Sequence, residues 1–190
     1  MKVIAAVQVT GQGVSDAALK RALSTCLPSP PRRTDRLTLM ALLGAAPLKP
    51  AMHADSGVYV AATYPARPNM FALLDAVCVQ RKLPKPFEFV NSVSNAAGFH
   101  IAQQLGINGP NLFIGAGPLV WDDLLELASC DLEHAHIRQA LLMHCHEGDG
   151  GNFCVQSLLL RDGGDTLSGR SFEALSSSLD VQYLELTDAG

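Results

Sequence analysis

The run GVYVAAT, Gly57 to Thr63, is made of small and β-branched residues with no polar alternation through its centre. That is the composition of a strand inside a parallel sheet, buried on both faces. Such a strand needs helices to cover it, and the neighbouring segments supply them. Lys2 to Val9 is apolar and β-branched up to the Gly11-Gln12-Gly13 turn and reads as a largely buried first strand. Ser15 then caps a helix whose Leu19, Ala22, Leu23 and Cys26 share one face, and Pro28-Ser29-Pro30-Pro31 prevents its continuation. Thr34 or Asp35 caps a second helix through Leu37, Met40, Ala41 and Leu43. It is apolar on most sides, so it should lie between layers, and Pro47 and Pro50 should stop it.

Beyond the Gly57 strand, a helix is expected from about Pro68 to Gln80, with Phe71, Leu74, Val77 and Cys78 on a buried face. After the irregular LPKPFEFV, a third long helix should run from Ser92 to Leu105, with Val93, Ala97, Ile101 and Leu105 in line and Gly106 as terminator. A turn at Asn108-Gly109-Pro110, a short strand at Leu112 to Gly115, and a helix burying Trp121, Leu124, Leu125 and Ala128 follow. Gln139 to Cys145 and Phe153 to Leu160 read as strands joined through the glycine-rich Glu147 to Asn152 into a hairpin. Strands mixed with long helices make the fold class α/β. Residues 163–190 are rich in serine, glycine and aspartate, with only Val181 to Leu186 strand-like. The organisation expected is one domain over 1–162 and a tail over 163–190 that adds at most one strand.

Composition narrows the function classes. With 190 residues, 48% of them hydrophobic and 17% charged, the chain can bury a sizeable core. A net charge of -4 offers no general attraction to nucleic acid or to an anionic membrane. MKVIAAVQV is too brief for a secretory signal core, and no apolar run reaches the roughly 18 residues of a membrane span. A cytoplasmic protein is expected. Five cysteines without CxxC spacing read as reduced thiols.

The stretch PFEFVNSVSNAAG, Pro86 to Gly98, continuing FHIAQQLGINGPN to Asn111, resembles the N-terminal half of β-ketoacyl synthases of the thiolase fold. Pro86, Phe89, Ser92, Asn95, Ala96 and the LGINGPN run carry the match. Arg33-Thr34-Asp35-Arg36 before a helix, LLMHCH, the hairpin and LLLRDG sit where that half-domain has comparable elements. The resemblance spans about residues 1–162, and the chain looks like the short ketosynthase-like proteins related to pigment and polyene polyketide clusters. It implies a mixed, mostly parallel sheet with helices on its faces.

In that family the Gly-Pro-Asn run leads into a strand and then a nucleophilic cysteine at the start of a buried helix, where the helix N-terminus stabilises a thiolate. Counted without gaps, that position here is Pro118. Proline has no thiol, and it lacks the N–H that the family's cysteine contributes to the oxyanion hole, although it suits the first turn of a helix. The family's second half-domain, which bears two histidines, would not fit within this chain. The resemblance therefore implies no catalytic residue and a pseudo-enzyme subunit, with the chain-length factor of ketosynthase heterodimers as precedent. It also implies that Leu112, Phe113, Ile114 and Gly115 form the strand that pairs across a dimer axis. Carrier proteins present an acidic helix, for which Arg81, Lys82 and Lys85 form a basic dock; the alternative is a solvated loop.

Other constellations give way to plainer uses. His144 and His146 share one strand face with Cys145 on the other, and His134 and His136 lie nearby, but no CxxC or HExxH spacing supports a metal, and none is expected. Cys145 and His146, adjacent in a strand, diverge and cannot pair as nucleophile and base. Cys145 reads as a small buried apolar residue and His100 as a satisfied helix-flank side chain. Glu147 and Asp149 are too few for a calcium loop, and Gly148, Gly150 and Gly151 lack a phosphate cradle's setting, so no cofactor is expected. Asp122, Asp123 and Glu126 suit a helix N-terminus. The leading reading is a non-catalytic ketosynthase-like subunit of fatty-acid or polyketide assembly, pairing with itself or with an active ketosynthase, with acyl carrier protein as a further partner. The alternative is a small thioester hydrolase or acyltransferase working through Cys145 or a histidine.

Overall fold

The computed structural model describes residues 1–164, 167 and 171–188. Six strands, β1 (Lys2–Gln12), β2 (Ser56–Ala62), β3 (Asn111–Gly115), β4 (Gln139–Glu147), β5 (Phe153–Arg161) and β6 (Gln182–Thr187), form one sheet in the order β3-β2-β4-β5-β1-β6. The β3/β2, β2/β4 and β1/β6 pairs are parallel, and the β4/β5 and β5/β1 pairs are antiparallel. The architecture is thus α/β with a mixed, mostly parallel sheet, as expected. β2 is buried at every position, which is what its composition requires. Of the 163–190 tail, residues 165–166, 168–170 and 189–190 lie outside the described residues.

Helices cover both faces. On one face lie α1 (Asp16–Cys26), α2 (Arg36–Ala45) and α5 (Ala96–Leu105), which pack Leu19, Leu23, Met40, Leu42 and Ile101 against Val9, Val58, Leu141 and Met143. On the other lie α6 (Val120–Glu133) and α7 (Phe172–Ser176), with Trp121, Leu124 and Phe172 against Ala61, Leu142 and Leu158. Each such side chain, fully removed from water, contributes about 1.5–3 kcal/mol. Ser15 and Asp35 are the N-caps of α1 and α2, accepting from the N–H groups of Ala18 and Thr38. All ten residues of α2 are buried, so it is the sandwiched helix that its composition indicates.

Two expectations are corrected. The Pro68–Gln80 helix exists as α3 (Arg67–Leu74) followed by a π-helical turn at Asp75–Val79, yet it buries no residue, and Phe71, Leu74, Val77 and Cys78 all face solvent. The long Ser92–Leu105 helix is divided. Pro86–Val90 forms the short α4, residues 91–95 turn, and α5 begins only at Ala96. The break is held by side chains that prefer local backbone partners, since Ser92 Oγ donates to Phe89 O at 2.6 Å and Asn91 Nδ2 donates to Arg33 O at 2.7 Å. The second helix does end before the prolines, at Ala45, and Pro47 and Pro50 are carried in a following 3₁₀ segment, Ala46–Ala51.

Candidate functional site

The site that the sequence singles out is the junction between β3 and α6. Ala116 N–H donates to Ala62 O at 2.9 Å, and Val120 N–H donates to Gly117 O at 3.2 Å, closing a β-turn over Gly117–Val120. Pro118 occupies the second position of that turn, whose φ proline presets. Leu119, at φ -107° and ψ 27°, is the N-cap and makes no side-chain cap bond. Pro118 therefore stands two residues before the helix rather than in its first turn, because the turn and not the helix uses its fixed φ. It is exposed.

None of the five thiols reaches this helix tip. Cys145 is in register with Ala62, which is in register with Gly115, so two strand spacings, roughly 9.6 Å, separate its backbone from the junction. Its side chain packs into the core on the α2 face, opposite α6, and is 1% exposed; burial pushes the thiol up to about 12. A thiol so held is inert as a nucleophile. In native protein, Cys26, Cys78 and Cys130, which are exposed, should react with a bulky maleimide within minutes, whereas Cys145 should react only on unfolding. Quantitative native labelling of Cys145 would contradict its placement. Cys130 sits near the far end of α6, about 15 Å along the helix.

On the α6 face, His144 meets the Trp121 indole edge-on at 6.2 Å. Burial, reinforced by His146, pushes its pKa down and favours the neutral ring. His134 and His136 stack at 5.7 Å beyond α6, His134 against Cys130 O and His136 against Asp131. Among the described residues, no three histidine, cysteine or acidic side chains converge as metal ligands. His100 is half-buried; burial lowers its pKa, opposed by Asp35. Glu147 and Asp149 serve the hairpin: Glu147 pairs with Arg36 at 3.1 Å and Asp149 with Arg67 at 3.6 Å.

The matched 86–111 segment has a physical reason for its glycines. A Cβ at Gly98 would collide with the Asn111 side chain, and one at Gly109 with the Ser56 carbonyl. Both glycines let the segment press against the β2–β3 pair that feeds the junction.

Among the described residues β3 pairs with β2 alone and ends the sheet on that side. Phe113 and Ile114 lean into the two cores, while Leu112 is 41% exposed and Gly115 is open to solvent. Beside this edge, Ile114, Gly115, Asp123, Glu126, Leu127 and Cys130 line a cavity of about 450 Å³. The segment from Tyr64 to Phe99 adds an unusual density of exposed apolar side chains, among them Phe71 at 61%, Leu83 at 95% and Phe89 at 63%. Large exposed apolar surfaces of this kind mark interaction sites. Periodicity alone missed this, since it assigns Phe71 and Leu74 to a buried face without saying whose core buries them. Arg81, Lys82 and Lys85 lie exposed in the loop before α4, with Lys82 donating to Gln80 and Lys85 3.9 Å from Glu88. Sequence reasoning also missed a second basic surface, where Lys20, Arg32 and Arg33 line a cleft of about 410 Å³ between α1 and the proline-rich loop.

No protein-family model matches the sequence, and no curated protein matches it. Solved structures do. A ketosynthase (ApeO) in complex with its chain length factor (ApeC) from Xenorhabdus doucetiae matches with TM-score 0.64 at 18% identity, over 86% of this chain and 79% of the matched chain. The ishigamide ketosynthase/chain length factor matches with TM-score 0.61 at 16% identity, over 70% of this chain and 46% of that one. A type II acyl-carrier protein in complex with its ketosynthase bound to the hexaketide matches with TM-score 0.52 at 15% identity, over 68% of this chain and 44% of that one. This chain thus spans less than half the length of the second and third matched chains, and is similar in length to the first. The chain has the thiolase fold of these ketosynthases. Among the described residues, no helix is long and apolar enough to cross a membrane.

Proposed function

We propose that this chain is a non-catalytic, cytoplasmic ketosynthase-like subunit of a fatty-acid, polyketide or polyene assembly, paired through β3 with an active ketosynthase or with a second copy. The observation that carries the reading is the β3–α6 junction. The resemblance puts the condensing nucleophile's position at Pro118, which lies in a turn, and the strand leading to it is an open sheet edge with Leu112 and Gly115 unburied. An unpaired edge strand flanked by exposed apolar side chains is a liability in a lone protein and a ready surface for another subunit. The similarity to chains from ketosynthase and chain-length-factor structures supports the same reading. Arg81, Lys82 and Lys85, all exposed, are the proposed dock for an acidic acyl carrier protein. Co-expression with the neighbouring synthase and carrier genes, followed by pull-down on this chain, tests the proposal. Stoichiometric recovery of a ketosynthase, or a stable self-dimer, is expected. Recovery of neither would contradict it.

A further inference from the structure

α6 ends in a turn that sets two histidines face to face. His136 N–H donates to Asp131 O at 2.9 Å and Ala135 N–H donates to Leu132 O at 3.1 Å, the paired bonds of a Schellman motif. Ala135, which turns the chain, is left-handed at φ 55°, where glycine is the usual occupant. The turn folds His136 back beside His134, the C-cap, and the two rings stack at 5.7 Å with 27° between their planes. Each ring is oriented through its Nδ1. His134 Nδ1 meets Cys130 O at 2.7 Å, and His136 Nδ1 meets Asp131 Oδ1 at 3.3 Å, while Asp131 Oδ2 accepts from the hydroxyl of the buried Tyr59. Carbonyl and carboxylate oxygens accept, so both Nδ1 atoms carry the proton and, in the neutral rings, both Nε2 atoms hold a lone pair. Both anchors belong to the last turn of α6, and both histidines are exposed. The two lone pairs are thus left on neighbouring rings at the surface.

We propose that His134 and His136 form a two-histidine site for a divalent transition-metal ion, held through both Nε2 atoms. A ring nitrogen donating to a carbonyl or carboxylate, with the other left to the ion, is the arrangement of metal-binding histidines. Imidazole suits zinc, copper and nickel, whereas magnesium and calcium take oxygen ligands. Nitrogen-to-metal distances are about 2.0–2.1 Å, so the rings close on the ion by rotation of two exposed side chains. Asp131 and the exposed Glu133 place negative charge beside it, and Arg138 is engaged by Asp55 at 3.4 Å. Among the described residues no third protein ligand converges there, which leaves the remaining coordination positions to water or an incoming group. A cavity of about 300 Å³, which His136 borders with Asp55, Asn108 and Gly109, gives them room. No CxxC or HExxH spacing reports this site, because the left-handed Ala135 and the Asp131 carboxylate bring the rings together. Neither histidine lies on β3, so the site does not depend on which partner the chain takes.

The test uses full-length protein without a histidine tag. Isothermal titration with Ni²⁺ as the probe is expected to show saturable uptake of one ion per chain. His134→Ala and His136→Ala should each weaken that uptake on the order of 100-fold, because a lone imidazole loses the second, intramolecular bond. His53→Ala, which removes an exposed histidine elsewhere, should leave it unchanged. All three side chains are exposed, so circular dichroism should show the same fold in every variant. A long-range ¹H–¹⁵N spectrum of the metal-free protein should show both rings as the Nδ1–H tautomer, and Zn²⁺ should shift their two Nε2 resonances together. Lack of saturable uptake, uptake that survives both substitutions, or an Nε2–H tautomer in either ring would overturn the assignment. These readouts are made on the chain alone, and none of them bears on recovery of a ketosynthase in the pull-down.

Discussion

Replacing Arg36 by methionine is expected to lower the unfolding free energy by about 3–5 kcal/mol. Arg36 opens α2 and is 7% exposed. Its guanidinium donates to Asp16 Oδ1 at 2.8 Å and to Gly151 O at 2.9 Å, and its Nε lies 3.1 Å from Glu147 Oε1. One side chain thus ties α1, α2 and the β4–β5 hairpin together. Without it, Glu147 and the Gly151 carbonyl are left partly buried and unpaired, and methionine replaces only the apolar stem. Urea unfolding at neutral pH checks the size of the loss; a change under about 0.5 kcal/mol, the level of an ordinary surface substitution, would contradict it.

The pH dependence of that loss carries a sign. Burial raises the Glu147 pKa, and the nearby Arg36 is the leading influence that lowers it. A carboxyl raised on folding binds more protons in the native state than in the unfolded one. Stability is therefore lost as pH rises from the ordinary carboxylate range through the folded pKa. Deleting Arg36 lifts the folded pKa further and widens that window. The Arg36→Met deficit should accordingly be larger at pH 7 than at pH 4, and adding Glu147→Gln should recover part of it at pH 7. Asp35, also raised by burial, slopes the same way in both proteins and so drops out of the difference.

The second large effect is on association. Leu112→Lys on the β3 edge is expected to weaken partner binding 30-fold to 1000-fold, on the order of 2–4 kcal/mol, because an ammonium would be buried where a leucine docks. Phe71→Ala should cost about 2 kcal/mol or more if its ring is an anchor of the same surface. Both residues are largely open to solvent, so the isolated chain should keep its thermal midpoint within a degree or two. Analytical binding to the co-purified ketosynthase, with circular dichroism on the free chain, separates the two readouts. Loss of fold without loss of affinity in the folded fraction would contradict an interface role.

Much of the fold was legible because its signals are local. Ser15 and Asp35 cap where their side chains dictate, the apolar run in β2 demands burial on both faces, and the Gly148–Asn152 segment turns a hairpin. The pieces that were not legible depend on what lies opposite. The apolar spacing of Phe71 and Leu74 is the same whether a helix faces its own core or another subunit, so sequence alone buried them wrongly. The division of the 92–105 helix rests on Asn91 reaching Arg33, a contact 58 residues away that no window contains. Pro118 was legible as a residue type but not as a turn position, because α6 starts at Val120, two residues beyond it.

The most direct measurement is the mass of the purified chain by size-exclusion chromatography with light scattering, alone and mixed with the ketosynthase proposed as its partner. A species of twice 20.2 kDa, or a one-to-one complex that consumes the free chain, is the expected result. A single 20.2 kDa species at every concentration, unchanged by the ketosynthase, would contradict the proposal that another subunit covers the β3 edge.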